Sequence, residues 1–279
     1  MMMELTDVAA APSRLPSAAG RERLMACRGD PLFYADWLDA VFLHFETDPV
    51  VLQQEVPWPL DLFDGRAFVS LVAFTMRDLR PRLGGRLAAL PFRPIATHEF
   101  LNVRVYVRHA GEPGIHFLAE WVPNALSVAL GPTLFGLPYR LGTLNYDHDF
   151  HGREARGRVE DTQSGKAFAY ACTAAAETAH QHCEAGSLDE FMVERYTAFT
   201  SIGLPGGKHR GWPLLRRLFR IWHPPWPLTP VQAEIQDSSL LSLTGDWSRH
   251  ARLVSAHHSP GVEKVWMGRP HFVSRGDTA

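Results

Sequence analysis

Residues 97–108 read Thr-His-Glu-Phe-Leu-Asn-Val-Arg-Val-Tyr-Val-Arg, a stretch in which apolar and polar side chains alternate. Alternation with a period of two is typical of a β-strand whose two faces meet different surroundings. One face carries Leu101, Val103, Val105 and Val107, and the other carries Asn102, Arg104 and Tyr106. We therefore expect this strand to set the architecture of the chain. Its polar face, directed either at water or into a cavity, defines a candidate site.

The composition is that of a globular protein. The chain has 279 residues, of which 46% are hydrophobic, so it can bury a full core as one large domain or two small ones. We assign residues 31–273 to a single domain, residues 1–30 to a flexible leader and residues 274–279 to a tail. The net charge of -2 gives no reason to expect nucleic acid or an acidic membrane as a partner, because both select strongly positive surfaces.

Cysteine use and targeting signals favour a cytoplasmic protein. Cys27, Cys172 and Cys183 are odd in number, and their spacing matches no metal or disulfide pattern, which favours a reducing compartment. No apolar run is long enough for a signal peptide or a membrane span. We expect no membrane partner and no cofactor.

Local patterns in the first half of the chain predict both helix and strand. Residues 31–44 have apolar side chains at helical spacing after Asp30-Pro31, and we predict an amphipathic helix there. Residues 67–76 are almost wholly apolar and rich in β-formers, which predicts a strand buried on both faces. Residues 115–122 predict a second strand that forms a hairpin with the strand at 97–108.

The second half predicts a short run of helix among further strands. Ser187 and Glu190 form a capping box that predicts a helix to about residue 200. Residues 213–222 are basic and aromatic, and we interpret them as an ordinary amphipathic surface element, with a membrane-surface helix as the alternative. Strand patterns lie at 144–150, 154–159, 167–175, 233–241, 250–256 and 263–267.

Many strands, few helices and no βαβ rhythm predict a mainly β (α+β) fold. We expect an antiparallel sheet that closes into a barrel, with a small internal cavity and two or three flanking helices. Inward and outward side chains alternate along the strands of such a barrel. Asn102, Arg104 and Tyr106 would then point into the lumen, and the valines would pack beneath the helices.

Arg104 carries the strongest chemical signal on the polar face. A buried arginine is costly unless it is paired, so Arg104 requires a carboxylate partner, such as Glu99 or Glu120, or a bound anion. A structural ion pair and a ligand site both satisfy this condition. Glu99, at the start of the strand, is a candidate acid or base if it is partly desolvated, and otherwise neutralises Arg104 or Arg140.

Two histidine-containing segments raise the question of a metal site. On a strand, Asp147, Asp149 and His151 would share one face, and carboxylate and imidazole ligands can bind a divalent ion. Exposed strand ends often carry such mixtures, however, and the run from His180 to Cys183 has no second ligand pair at standard spacing. We therefore predict no metal site.

Short motifs along the chain resemble those of the YqjF-like proteins that carry domain of unknown function 2071 (DUF2071). They occur in the same order over residues 33–273, and this collinearity makes the resemblance specific. The matching pieces are His44-Phe45-Glu46 with Asp48-Pro49, Asp64-Gly65 before Phe68-Val69-Ser70-Leu71-Val72, Glu99 with Asn102-Val103-Arg104-Val105-Tyr106-Val107, Leu137-Pro138-Tyr139-Arg140, Glu194-Arg195-Tyr196, Pro225-Trp226-Pro227-Leu228, and His258-Ser259-Pro260-Gly261-Val262-Glu263.

The resemblance implies an acetoacetate decarboxylase-like fold, which is a closed β-barrel with flanking helices and an interior pocket. The catalytic lysine of acetoacetate decarboxylase lies in a Pro-Lys-Lys segment, and the most similar segment here is Pro138-Tyr139-Arg140. Neither tyrosine nor arginine can form an imine with a substrate, so the covalent mechanism does not carry over to these positions. The pocket implied for this chain holds Glu99, Asn102, Arg104, Tyr139 and Arg140.

Three hypotheses for the function follow. In the first, the barrel binds a small organic acid or similar metabolite, with Asn102, Arg104, Tyr106 and Arg140 as ligand-binding residues. In the second, the protein is a lyase, decarboxylase or isomerase that uses noncovalent acid-base chemistry, with Glu99 as proton shuttle and Tyr139 or Arg140 stabilising an enolate. In the third, the barrel is filled by side chains and the protein has a structural or partner-binding role.

Overall fold

The computed structural model describes residues 15–148, 150, 153–174, 179–202 and 215–273. The fold is mainly β, and its strands belong to one sheet. The strands are β1 (Phe33–Thr47), β2 (Ala67–Pro81), β3 (His98–His109), β4 (Glu112–Val122), β5 (Tyr139–Asp147), β6 (Glu154–Asp161), β7 (Ala167–Ala174), β8 (Thr197–Ile202), β9 (Leu215–Trp222), β10 (Thr229–Asp237), β11 (Arg252–Met267) and β12 (His271–Phe272).

Short helices connect and flank the strands. The α-helices are α1 (Pro16–Ala26), α2 (Pro49–Glu55), α3 (Gly85–Ala89), α4 (Ala125–Phe135) and α5 (Leu188–Val193), and the 3-10 helices are Leu90–Ile95, Ser239–Leu243 and Asp246–His250. None of the helices in the described ranges is long and apolar enough to cross a membrane.

The sheet curls on itself into two rings of paired strands. The strand order is β12-β9-β8-β4-β3-β2-β1-β11-β10-β7-β6-β5, and two further pairings join β4 to β5 and β9 to β11. Each of these pairings connects strands that are far apart in the order, and the two rings share β1 to β4 and β11. Most neighbours are antiparallel as predicted, but β4 pairs with both β5 and β8 in parallel, so the sheet is mixed.

Each ring encloses one apolar core, and β3 lies in the wall between the two cores. Its leucine and valine face packs in the first core with side chains of β5, β6 and β7 such as Leu144, Val159 and Phe168. The opposite face contributes to the second core, with Ala198 of β8 and Phe219 of β9. The predicted alternation along β3 is confirmed. Its valine face, however, meets the other strands of a ring rather than a layer of helices.

The largest correction concerns residues 31–44, where we predicted a helix and the structure contains β1. This strand is central, paired with β2 on one side and β11 on the other, and apolar side chains are buried on both of its faces. Irregularities interrupt its pairing between Leu38 and Val41, and Asp39 has a φ of 50°. These irregularities break the period of two, so the apolar positions fall at a spacing that resembles that of a helix.

The predicted leader also differs from the structure over residues 16–26, which form α1. Leu24 is fully buried, and the indole nitrogen of Trp222 donates a hydrogen bond of 2.9 Å to the carbonyl of Ser17. The guanidinium of Arg21 lies over the rings of Trp222 and Trp266. Helix α1 is therefore docked on the sheet through one apolar anchor and several polar contacts. Residues 1–14 of the predicted leader, and the predicted tail at 274–279, lie outside the described residues.

The second half of the chain differs from the predicted elements at three places. Ser187 caps α5 by accepting a hydrogen bond from the Glu190 backbone, as predicted, but α5 ends at Val193 and Thr197 already begins β8. Residues of β8 form a ladder with β9, and this pairing ends the helix early. The described part of the basic and aromatic segment is β9 itself, not a surface helix. The two strand patterns near the C-terminus belong to one long strand, β11.

Candidate functional site

A cavity of about 160 Å³ lies on the second core, between the curled sheet, α4 and the 3-10 helix Leu90–Ile95. An engineered apolar cavity of about 150 Å³ accommodates a benzene ring, so this space suits a small apolar group. Most of the lining is aliphatic or aromatic. The lining residues with polar side chains are Trp37, His98, Asn102, Glu120, Ser127 and Tyr139.

The polar end of the cavity is built where β3, β4 and β5 meet. Asn102 of β3 pairs directly with Glu120 of β4, and Glu120 pairs in parallel with Tyr139 of β5. Both Asn102 and Glu120 are buried, and the Asn102 Oδ1 and Glu120 Oε2 atoms have no hydrogen-bond partner within the described residues. Two buried oxygens without partners leave room for a donor from a ligand or water.

Burial decides the protonation of this end of the cavity. Desolvation raises the pKa of Glu120 well above its ordinary value, so we expect a neutral carboxylic acid at pH 7. Burial and the nearby Glu120 also raise the pKa of Tyr139. The Tyr139 ring packs against Gly131 of α4, where any larger side chain would collide with it.

His98 and α4 form the wall beside this polar end. The His98 Nε2 atom lies 3.2 Å from the Ser127 hydroxyl, and the Nδ1 atom lies 3.1 Å from the Glu99 carbonyl oxygen. Burial lowers the pKa of His98, which favours the neutral imidazole. Asn124 caps α4 and donates through Nδ2 to the Pro94 carbonyl, which ties the helix to the 3-10 helix across the cavity.

Arg104 lies next to the cavity on the same face of β3 but is not among its lining residues. Its Nη2 atom donates to the Met192 carbonyl at 3.0 Å, and its Cζ atom lies 5.8 Å from the centre of the Phe42 ring. The side chain is buried and its Nε atom has no partner. No carboxylate within the described residues comes within 4.0 Å of it. Arg104 is thus a buried cation without a visible counterion.

Tyr106 continues the polar row one position further along β3. Its hydroxyl donates to the Met192 carbonyl at 2.9 Å and shares a hydrogen bond with the Ser70 hydroxyl. Ser70 lies 2.6 Å from Nδ1 of His44. Burial, then His257 and Arg104, lower the pKa of His44, so this histidine is neutral beside Arg104. Tyr106 is therefore part of a buried hydrogen-bonded row that supports Arg104.

The structure does not bring Arg140 to this site. Arg140 follows Tyr139 on β5 and so points to the opposite face, where its Nε atom donates to Asp161 at 3.1 Å. Its guanidinium lies over Trp121, which donates to the same carboxylate. Burial opposes the ionisation of Asp161, but hydrogen bonds from Trp121, Ser164 and Arg140 lower its pKa to about 2. Arg140 is thus engaged in a structural ion pair.

Glu99 is also separated from Asn102 and Arg104. It lies on the valine side of β3 and lines a shallow surface groove with Tyr146 and Arg158. Of the site residues predicted from the sequence, the structure places Asn102 and Tyr139 in the cavity and Arg104 and Tyr106 beside it. Sequence reasoning named Glu120 only as an ion-pair partner and missed His98 altogether.

The donor groups available for a metal lie elsewhere. Asp149 and His151 of the predicted metal candidate lie outside the described residues. Donor atoms of Cys27, Asp30 and His271 come within 4.8 Å of one another. Arg220 donates to the Cys27 sulfur, however, and the Arg269 backbone and side chain contact Asp30. His271 also lies within hydrogen-bond distance of Asp30, so each donor already has a partner among the described residues and the cluster is explained without a ligand.

Comparison with known proteins gives a family and a fold. The DUF2071 family model, described as an uncharacterised conserved protein, matches residues 34–263. The chain is also similar to the uncharacterised protein YqjF of Bacillus subtilis (strain 168). The two are 29% identical over 215 residues, which cover 75% of this chain and 80% of YqjF.

Solved structures of similar fold are acetoacetate decarboxylase-like. One is an acetoacetate decarboxylase-like enzyme from Sphingomonas wittichii RW1, with a TM-score of 0.58 and 18% identity over 88% of this chain and 94% of that one. Acetoacetate decarboxylase from Legionella pneumophila has a TM-score of 0.57 and 17% identity over 95% and 98% of the chains. The enduracididine biosynthesis enzyme MppR, solved with pyruvate, has a TM-score of 0.59 and 12% identity over 89% and 92%.

Proposed function

This chain belongs to the DUF2071 family, and from that premise we propose that it binds a small organic acid with an apolar body. The apolar body occupies the cavity, and the carboxylate of the ligand is held by Arg104. The curled sheet acts in this proposal as the closed β-barrel of acetoacetate decarboxylase-like proteins, with the ligand in its interior. The pyruvate complex of MppR supports this ligand class, because pyruvate is a small carboxylic acid.

The observation that carries the proposal is the buried guanidinium of Arg104. A buried charge without a counterion costs several kcal/mol, and folded proteins rarely retain one without a reason. Within the described residues, Arg104 has a carbonyl partner, an Nε atom without a partner and no carboxylate in contact. A ligand carboxylate would supply the missing negative charge and accept the hydrogen bond from Nε.

The geometry of β3 supports a ligand that spans both positions. Arg104 lies two residues after Asn102 on the same face, a separation of about 6.6 Å along a strand. Phe117, which pairs with Arg104 across the hairpin, also lines the cavity. A carboxylate at Arg104 would therefore leave the rest of a small ligand beside Asn102, where the buried oxygens of Asn102 and Glu120 can accept hydrogen bonds.

Thermal unfolding with small carboxylates tests this proposal. A panel of aromatic and branched carboxylic acids should raise the Tm of the wild type, while the matching neutral amides should not. Ligand at 100 times its Kd stabilises the native state by about 2.7 kcal/mol. Arg104→Met should abolish the response, and Arg140→Met, the matched control in the Asp161 ion pair, should retain it.

The stability of Arg104→Met separates binding from a purely structural role. If a ligand is the natural counterion, this variant should cost little stability without ligand. Loss of one partner of a structural buried pair costs about 3 to 5 kcal/mol. A wild type that responds to no acid in the panel, together with a severely destabilised Arg104→Met, would reject the proposal and favour the structural role.

A second candidate function is a lyase, decarboxylase or isomerase that needs no Schiff base. The observation in its favour is Glu120, a carboxylic acid that burial keeps protonated and that lines the cavity beside Tyr139. When a β-keto acid loses CO2, the electron pair of the broken carbon-carbon bond stays on the α-carbon as an enolate. Glu120 would then donate the proton that this α-carbon takes up. Glu120 fits this role better than Glu99, which lies on the other face of β3.

Carbon dioxide release from a set of β-keto acids, corrected for the spontaneous reaction, tests this candidate. Glu120→Gln should abolish any catalysed rate, because the amide retains the shape of the side chain but is not an acid. Lys166→Arg, Lys208→Arg and Lys264→Arg are the controls and should retain the rate. Activity that survives Glu120→Gln would exclude this acid, and activity lost in a lysine variant would point to covalent chemistry.

A further inference from the structure

Six exposed leucines lie on α3, on α4 and on the segments beside them, and the 3-10 helix Leu90–Ile95 contacts both of these helices. We call this surface the leucine patch; it consists of Leu83, Leu87, Leu90, Leu126, Leu130 and Leu134, whose exposed fractions run from 36% to 79%. Residues 126, 130 and 134 recur every four positions on α4 and so share one face of the helix. Large leucines exposed together, rather than singly, are typical of an interaction surface.

The leucine patch is continuous with the mouth of the cavity. Leu130 and Leu134 belong to the patch and also line the cavity, so the cavity reaches the surface between them. Phe92 and Ile95 line the same cavity from the 3-10 helix, which contacts α4. An apolar molecule that enters or leaves the cavity at this mouth passes directly over the patch.

The charges around the patch have one sign. Arg82, Arg86 and Arg93 are exposed, and no carboxylate of the described residues pairs with any of the three side chains. The sequence contains no aspartate or glutamate from residue 79 to 98 or from residue 123 to 146. The surface around the cavity mouth is therefore apolar and cationic, although the chain as a whole has a net charge of -2.

We propose that the leucine patch and its arginines dock on the surface of an anionic lipid bilayer. Leucines that enter the acyl region, with arginines at the level of the phosphates, are the combination that holds peripheral proteins on membranes. Docking in this orientation turns the cavity mouth towards the acyl chains, from which an apolar acid can enter. This inference deepens the proposed function and rests on it for the identity of the ligand.

A second copy of the chain fits the same surface less well. In a symmetric dimer the same patch meets itself, so the arginines of the two copies would be brought together around the buried leucines. No described acidic side chain in the two segments offsets this repulsion. Anionic headgroups supply the opposite charge at the depth where the arginines lie, and they are present in excess on a bilayer.

Cosedimentation with lipid vesicles tests the docking. The full chain is mixed with vesicles of phosphatidylcholine alone, or with 30% phosphatidylglycerol, at low salt. We expect binding to the anionic vesicles, little binding to the neutral ones and release at high salt, because headgroup attraction is screened. Arg86→Glu with Arg93→Glu should weaken binding on the order of 25-fold, since each arginine near such a surface contributes about five-fold.

Paired variants separate docking from general effects of charge and folding. Leu83→Ser with Leu87→Ser should reduce vesicle binding about ten-fold or more, without a change in Tm, because both side chains are exposed in water. Two controls lie away from the patch. Val50→Ser removes an exposed apolar side chain, and Arg156→Glu with Arg158→Glu makes the same change of charge. Both controls should leave vesicle binding unchanged.

The outcomes distinguish this inference from the proposed function. A response of the Tm to carboxylates without vesicle binding would reject docking and leave the proposed function intact. Vesicle binding that depends on the patch, without any response to carboxylates, would support docking and reject the organic acid. An oligomer that dissociates in the leucine variant, with no vesicle binding by the wild type, would identify the patch as a subunit interface and overturn the inference.

Discussion

Asn102 and Glu120 face each other across the β3-β4 hairpin, and each has a buried side-chain oxygen that no described residue satisfies. Their arrangement fixes the polar end of the cavity and makes Glu120 sensitive to pH. The pKa of Glu120 is raised in the folded protein, so the native state holds its proton above the pH at which the unfolded chain releases it.

The first prediction is that Glu120→Gln changes how stability depends on pH. In the wild type, the contribution of Glu120 is complete below the unfolded pKa, near 4.5, and is lost as pH rises towards the folded pKa. The slope of this loss is at most about 1.4 kcal/mol per pH unit. Urea unfolding from pH 5 to 8 should therefore show Glu120→Gln gaining stability relative to the wild type as pH rises. A constant difference would mean that Glu120 ionises normally.

The second prediction concerns acid and His258. Burial, with His148 and His180 nearby, lowers the pKa of His258 to about 4, and its ring stacks on Phe150 with centroids 4.0 Å apart. Because the folded pKa is depressed, the native state loses stability as pH falls from about 6.5 towards 4. His258→Phe retains the stacking without the titration. As pH falls from about 6.5 to 4, the free energy of unfolding of His258→Phe, measured in urea, should rise relative to that of the wild type.

The third prediction tests whether α1 is part of the domain. Leu24→Ala should cost about 2 to 5 kcal/mol, because its side chain is fully buried against the sheet. Met25→Ala removes a neighbouring side chain that is 47% exposed, and should change stability by less than about 0.5 kcal/mol. If both substitutions change the free energy of unfolding equally little in chemical denaturation, α1 is not docked in solution.

The fourth prediction is that borohydride with a β-keto acid traps no specific adduct on lysine. Lys166 donates from Nζ to the Ser242 hydroxyl at an exposed site, and Lys264 lies on β11 away from the cavity lining. Lys208 lies outside the described residues. Intact mass spectrometry should show no adduct beyond that of an unrelated lysine-containing protein. Stoichiometric labelling of Lys166, Lys208 or Lys264 would mean that the reactive pocket lies elsewhere.

The sequence predicted the faces of β3 well because its alternation is regular. Residues of odd and even number point to opposite faces of a strand. Strict alternation therefore separates Glu99 from Asn102, and Arg140 from Tyr139. Alternation alone does not place Glu120, because the register that runs from the turn to Arg104 and Phe117 would pair Asn102 with Ala119. A one-residue bulge at Leu118 brings Glu120 opposite Asn102 instead, and the alternation along β3 does not reveal it.

Other parts of the site depended on contacts that no local pattern reveals. The carbonyl of Met192, at the end of α5, accepts hydrogen bonds from both Arg104 and Tyr106 across more than eighty positions of sequence. The 3-10 helix reaches α4 through Asn124 and Pro94. The prediction of a helix in place of β1 failed for a different reason, because bulges displaced its apolar residues from strict alternation.

The pairing of β1 with β11 has a consequence for biosynthesis. Phe33 pairs with Met267 and Glu46 with Arg252, so one of the first strands to be made needs one of the last. At about 5 to 20 residues per second, a ribosome takes roughly 10 to 40 s to advance from one strand to the other. During that interval one edge of an apolar strand lacks its partner. Nascent chains of this protein should therefore depend on chaperones that shield such an edge until translation is nearly complete.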